Sequence, residues 1–158
     1  MRVIEQNILD VKEGIIVHQV NCVGAIGGLA KAIFDKWPTA KRDYLSYVNM
    51  GSHRICDEFS GMLGDMQHII INSYRSDIAG GLSLVNLYAQ DNISYNKRAT
   101  NYAAFGSGLI KLYSLSSVYD YKPIHFPYKI GCGLGGGDWN IISAMIDDIF
   151  PEAIICEF

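Results

Sequence analysis

The chain of 158 residues is poor in charge: Asp, Glu, Lys and Arg make up 18% of it, and the formal net charge is only -3. It has no long run of Lys or Arg; Lys41-Arg42 and Lys97-Arg98 stand as isolated pairs. A nucleic-acid partner is therefore not expected, because phosphate neutralisation with counterion release calls for a basic stripe. No stretch approaches the roughly 18 uninterrupted apolar residues of a membrane span, so no membrane partner is expected either. The start, Met1-Arg-Val-Ile-Glu-Gln-Asn-Ile8, lacks a basic region followed by an apolar run, so it does not read as a signal peptide. The four cysteines, Cys22, Cys56, Cys132 and Cys156, form no C-x-x-C pair. A zinc site would draw paired ligands from a tight turn, so no metal is expected, and buried thiols in a reducing cytoplasm are.

What the chain has is apolar residues, 49% of the total, and 16 glycines unevenly placed. A chain of this length buries roughly two-thirds of its unfolded surface, and residues 1–158 are expected to form one domain. Short runs rich in β-branched and aromatic residues at Gly14 to Val20, Gln67 to Tyr74, Ser83 to Ala89, Pro123 to Phe126 and Ala153 to Phe158 predict buried strands. Helices are predicted over Leu29 to Lys36, Ala40 to Asn49, Lys97 to Leu115 and Trp139 to Phe150. In the last, Ile142, Met145, Ile146 and Ile149 form one apolar stripe. Alternating helices and continuous apolar strands predict an α/β sandwich around a mainly parallel or mixed sheet. The polar segment Gly51 to Asp65 reads as an irregular connection, and Ser76 to Gly81 as a tight turn.

Two loops concentrate the glycines. In the first, a strand ends at Asn21, Gly24, Gly27 and Gly28 follow, and a helix begins. In the second, Lys129-Ile-Gly-Cys-Gly-Leu-Gly-Gly-Gly-Asp-Trp139, five glycines fall within seven positions, again between a strand and a helix. Glycine lets backbone approach a ligand closely, and a helix start offers unpaired N–H groups with partial positive charge, a combination that suits phosphate or diphosphate. If both strands run parallel, both loops lie at the carboxyl edge of the sheet, where they would clamp a diphosphate from two sides. Neither loop carries the Gly-Lys-Ser/Thr of a Walker motif. Gly131 to Gly136 fits G-x-G-x-x-G, but only 22 residues follow it, too few for the rest of a Rossmann unit.

Four segments in order carry a resemblance: Gln19 to Ile33, Lys36-Trp-Pro38, Val85-Asn-Leu-Tyr-Ala-Gln90 and Pro127 to Trp139. Together they resemble a macro domain, in particular the small stand-alone proteins of the ADP-ribose-1″-phosphate phosphatase and terminal ADP-ribose glycohydrolase type, common in phages and bacteria. The resemblance implies a three-layer α/β/α sandwich with a mixed central sheet and a cleft for ADP-ribose at its crest. Carried over by position, Gly24, Gly27, Gly28 and Leu29 would cover the diphosphate and distal ribose, with Asn21 nearby. Gly133, Leu134, Gly135, Gly136 and Gly137 would form the opposing phosphate loop, and Tyr128 would line the adenine pocket or be simply a half-buried aromatic. Asn7 and Ile8 stand where many macro domains have Asp-Ile, so an uncharged amide would face the adenine. No cofactor is implied.

In the glycohydrolase branch a lysine attacks the anomeric carbon and an acid assists; the matching positions here are Gln90 and Gly135. An amide forms no Schiff-type adduct, which closes that route. For phosphatase-like chemistry the candidates near the cleft are His18, as acid or base, Asp138, orienting water, and beside them Gln90 and Asp91. The bland readings of the first two are a histidine satisfied inside the sheet and a helix cap. The expected function is binding of ADP-ribose or a relative, with hydrolysis of a small ADP-ribose derivative in the cytoplasm. The alternatives are a non-catalytic reader or sponge for such a signal and, third, removal of ADP-ribose from a macromolecule.

Overall fold

The computed structural model describes residues 1–52, 62–72, 81–119 and 123–158. Along them run β1 (Arg2–Glu5), β2 (Gly14–Asn21), α1 (Gly28–Lys36), α2 (Pro38–Ser52), β3 (Met66–Asn72), β4 (Leu82–Gln90), α3 (Tyr102–Tyr119), β5 (Ile124–Pro127), α4 (Trp139–Ile149) and β6 (Ile154–Glu157). A short 3-10 turn, Ile8–Asp10, follows β1. The strands form one sheet in the order β1-β6-β5-β2-β4-β3. Every neighbouring pair is parallel except β3 with β4, so the sheet is mixed with one antiparallel edge strand.

The central strands β2 and β4 are buried almost throughout, which explains why apolar residues stand on both of their faces: a strand covered on both sides has no solvent side to alternate with. Alternation instead sorts residues between two cores. Ile16 and Val20 pack with Ile33, Phe34 and Tyr44 beneath α1 and α2. Ile15 and Val17 pack with Phe105, Leu109, Leu112, Ile142 and Ile146 beneath α3 and α4. Each such side chain contributes roughly 1.5–3 kcal/mol on burial, so both helical layers are held by their apolar faces. The result is the three-layer α/β/α sandwich. No helix among the described residues is long and apolar enough to cross a membrane.

Differences from the sequence reading have local causes. Strand β1 goes unpredicted because three of its four residues are exposed; its parallel backbone pairing with β6 makes it a strand. The third helix starts at Tyr102 rather than Lys97. Thr100 instead bridges to Gln90 in the sheet, and the Asn101 side chain accepts from the Ala104 N–H to open the helix. Of the segment read as irregular, Gly51 and Ser52 complete α2 and Met62 to Gly64 form a turn, while residues 53–61 lie outside the described residues. Tyr74 and the turn from Ser76 to Gly80 also lie outside them. Cys22 and Cys156 are buried and Cys132 half-buried, while Cys56 falls outside the described residues.

Candidate functional site

Strands β5 and β2 are parallel neighbours, so the loops that leave them emerge side by side at the carboxyl edge. Between the loops lies a cleft of about 620 Å³, walled at β4 by Gln90 and the following Ile93-Ser94-Tyr95. That volume is in the range of small-molecule sites.

The first loop is shaped by Asn21, which is buried. Its Oδ1 accepts from the Val23 N–H (3.1 Å), the Ala25 N–H (3.0 Å) and the Tyr44 hydroxyl (3.0 Å), while its Nδ2 donates to the Ala25 carbonyl (2.8 Å). An Asn closing a turn on its own backbone is a recurrent device. Burial raises the Tyr44 pKa, so its hydroxyl keeps the proton it donates. Gly24, expected in the ligand loop, does not line the cleft; its φ of +77° serves the turn. Gly27 caps α1 without a side-chain hydrogen bond, so the first N–H groups of that helix have no capping acceptor and stand beside the cleft.

The second loop is held differently. The Gln19 side chain projects from β2 on the face opposite His18, and its Nε2 donates to the Gln90 Oε1 (3.0 Å) and the Thr100 hydroxyl (2.8 Å). Thr100 in turn donates to the Gly131 carbonyl (2.8 Å). These groups fill the space where glycine side chains would be. A Cβ on Gly131 would meet Gln19 Oε1 at 2.5 Å, and one on Gly135 would meet Thr100 Oγ1 at 2.4 Å and the Gly131 carbonyl at 2.6 Å. Gly137 is closed off by Ile142 at 2.8 Å. Gly133 alone of the five faces open space, and Leu134, 72% exposed, reaches across to within 3.4 Å of where a Gly27 side chain would start. Gly133, Leu134 and Gly135 line the cleft as expected, whereas Gly136 faces Arg98 and Gly137 packs on α4, so neither lines it.

The other expected residues divide. Asn21, Gly27, Gly28, Leu29, Gln90 and Tyr128 all line the cleft. Tyr128 is half-buried, edge-on to Trp139 with ring centres 5.2 Å apart. Gln90 has its oxygen occupied by Gln19 and its nitrogen by the Asn92 carbonyl (3.2 Å), so it braces the floor. Asn7 and Ile8 are at the same sheet edge but do not line the cleft: Asn7 Oδ1 accepts from the Leu9 N–H (2.9 Å), and Ile8 is core.

The structure does not bring the two catalytic candidates together. His18 lies on the α1–α2 face of β2, edge-on to Phe34, and is 1% exposed. Its Nε2 is 2.5 Å from Asn86 Oδ1, and burial pushes its pKa down to about 4 against that bond, so the ring is neutral at pH 7. Asp138 caps α4 in the opposite layer, Oδ1 accepting from the Asn140 N–H (2.8 Å), and does not line the cleft. No carboxylate lines it among the described residues. Nor do those residues contain a group of three His, Cys, Asp or Glu able to hold a metal.

Gln19, Thr100, Lys129 and the Ile93–Tyr95 wall are site residues that sequence reasoning missed. Strand alternation carried a signal for Gln19, since it shares a face with Val17 and the carboxyl end of β2. The others depend on which strands are neighbours. A larger hollow of about 840 Å³ lies at the amino edge, lined by Arg2, Ser117, Ile149 and Glu152 among others. The ends of α3 and α4 meet there, and helix C-termini disfavour anions, so it is a poor site for a phosphate ligand.

No protein-family model matches the sequence, and no curated protein matches it. Solved structures do resemble the fold. The macrodomain of Mycobacterium tuberculosis DarG is 20% identical with a TM-score of 0.73, covering 98% of this chain and 97% of that one. A macrodomain protein from Streptomyces coelicolor is 20% identical with a TM-score of 0.72, covering 99% of each chain. Thermosipho africanus DarTG, solved in complex with ADP-ribose, is 16% identical with a TM-score of 0.76, covering 99% of this chain but 41% of that one. The chain has the macrodomain fold.

Proposed function

We propose that the protein binds ADP-ribose, or a closely related nucleotide, in the cleft between the two glycine loops, and that it acts by holding this ligand. In this reading residues 1–158 work as one cytoplasmic domain. The observation that carries the proposal is the uncapped start of α1 at Gly27 and Gly28, set opposite Gly133 to Gly135 across the cleft. Unpaired N–H groups on one side and close-approaching backbone on the other suit a diphosphate. Asn21 and the braced amide of Gln90 then border the distal ribose, and Tyr128 offers a ring for the base. The Thermosipho structure with ADP-ribose supports the ligand class.

Reading or sequestering fits the lining better than catalysis, because hydrolysis requires a group to activate water and no carboxylate is there among the described residues. Hydrolysis of a small derivative such as ADP-ribose 1″-phosphate is the second reading. One observation favours it: Nδ1 of His18, at the cleft wall, has no hydrogen-bond partner and so could take a proton once ligand binding opened a path to it. Calorimetry with ADP-ribose, paired with phosphate-release assays on ADP-ribose 1″-phosphate, separates the readings. Saturable binding of both without turnover is the expected result. Turnover abolished by His18→Ala would establish the second reading, and failure of both nucleotides to bind would overturn the proposal.

A further inference from the structure

Lys129 stands apart from the rest of the cleft. It is the only Lys or Arg among the described residues that line it, and it is exposed. It enters none of the ion pairs found among the described residues. Its φ of 56° makes it the only non-glycine residue with left-handed backbone among them. A lysine in that conformation costs stability that a glycine would not, and strain of this kind clusters at active sites and ligand clamps. The Lys129 Nζ lies over the Tyr128 ring, 5.2 Å from the ring centre.

The order of features along the sheet edge says what that ammonium would meet, given the proposed nucleotide binding on which this inference rests. The backbone N–H of Tyr128 donates to Cys156 of β6 (2.8 Å), which places its ring at the β5–β6 end of the cleft. The glycine loops and the start of α1 occupy the middle, over β5 and β2, and Gln90 of β4 closes the other end. With the diphosphate in the middle and a base against Tyr128, the ribose between them is the adenosine ribose. Lys129 follows Tyr128 in the chain and its ammonium stays beside that ring, so it lies at the same end of the cleft as this ribose. With backbone N–H groups assigned to the diphosphate, an ammonium with no carboxylate partner among the described residues is left for a further anion.

We propose that Lys129 selects ligands bearing an additional phosphate monoester on the adenosine ribose, at its 2′ or 3′ oxygen. The cleft then discriminates a phosphorylated ADP-ribose from ADP-ribose itself.

The test is calorimetry at low salt with ADP-ribose and with its adenosine 2′-phosphate and 3′-phosphate forms, on the wild type, Lys129→Gln, Lys129→Gly and Lys129→Arg. The expected result is a preference of about fivefold for at least one phosphorylated form, as for a single partly exposed ion pair, shrinking with added salt. The preference should vanish in Lys129→Gln and persist in Lys129→Arg. Lys129→Gly removes the charge and relieves the backbone, so it should melt no lower than the wild type while losing the preference, which separates recognition from folding. Equal affinity for all three nucleotides in the wild type, or a preference that survives in Lys129→Gln, overturns this assignment alone. Binding of none of them overturns the nucleotide reading and this inference with it.

Discussion

In the first loop one side chain, Asn21, reaches up and ties the backbone into shape, and the glycines have room around them: Cβ atoms on Gly24, Gly27 or Gly28 would meet nothing closer than 3.4 Å. In the second loop the backbone is pressed down onto Gln19, Thr100 and Ile142, and Cβ atoms on Gly131, Gly135 or Gly137 would collide at 2.4–2.8 Å. Similar glycine-rich sequences thus answer two needs. The first loop uses glycine for backbone angles and an open helix start, the second for close packing on a polar floor. The two sides of β2 differ in the same sense, with titratable His18 on the first-loop face and the neutral amide of Gln19 on the other.

The sharpest way to break this contrast is Gly135→Ala. Its methyl group would collide with a hydroxyl and with backbone, and only the hydroxyl side chain can give way, so a loss of about 3 kcal/mol is expected in urea denaturation. A loss below 1 kcal/mol would mean that the loop floor is soft and the contrast unfounded. pH should act on the first-loop side. The His18 pKa is about 4 when folded, against 6.5 for an ordinary histidine, so between those values the unfolded chain takes up a proton that the folded one refuses. Stability therefore falls as pH drops from 6.5 to 4, by as much as about 3 kcal/mol from this residue. The fall should be smaller in His18→Phe, and an unchanged pH slope in that variant would count against it.

Asn21→Ala should cost about 2 kcal/mol, since it removes several bonds at once and leaves the Tyr44 hydroxyl with only the Asn21 carbonyl to donate to. Ligand affinity should fall with it, read by the same calorimetry. Gly27→Ala is the mild end of the series. Its φ of -156° suits any residue and the methyl group would touch only Leu134, so stability should move by no more than about 0.5 kcal/mol. A large loss there would erase the difference between the loops.

Both loops and the helix after each were legible in the sequence because glycine clusters between a strand and a helix have a local cause. The Rossmann-like spacing of Gly131 to Gly136 pointed to phosphate-binding backbone. What it hid was the assignment of each glycine: Gly136 turns toward Arg98, so a side chain there would act through its positive φ of 65° rather than by crowding the cleft. His18 and Asp138 were separate candidates near the ends of β2 and of the second glycine loop, and the structure puts the sheet between them. Strand β1 was illegible because four residues, three of them exposed, carry almost no pattern, and only the edge of β6 defines it.

By itself the sequence determined the alternation of buried strands with amphipathic helices, and with it the α/β layering, because burial on both sheet faces and on one helix face writes its period into neighbouring residues. It also placed each glycine cluster between a strand and a helix. The tertiary structure alone decided that β5 lies beside β2, which sets the two loops face to face, brings Gln19 and Thr100 beneath Gly131 and Gly135, and places Lys129 at one end of the cleft. Those pairings join residues from about 30 to more than 110 positions apart, and no local periodicity records a contact at that distance.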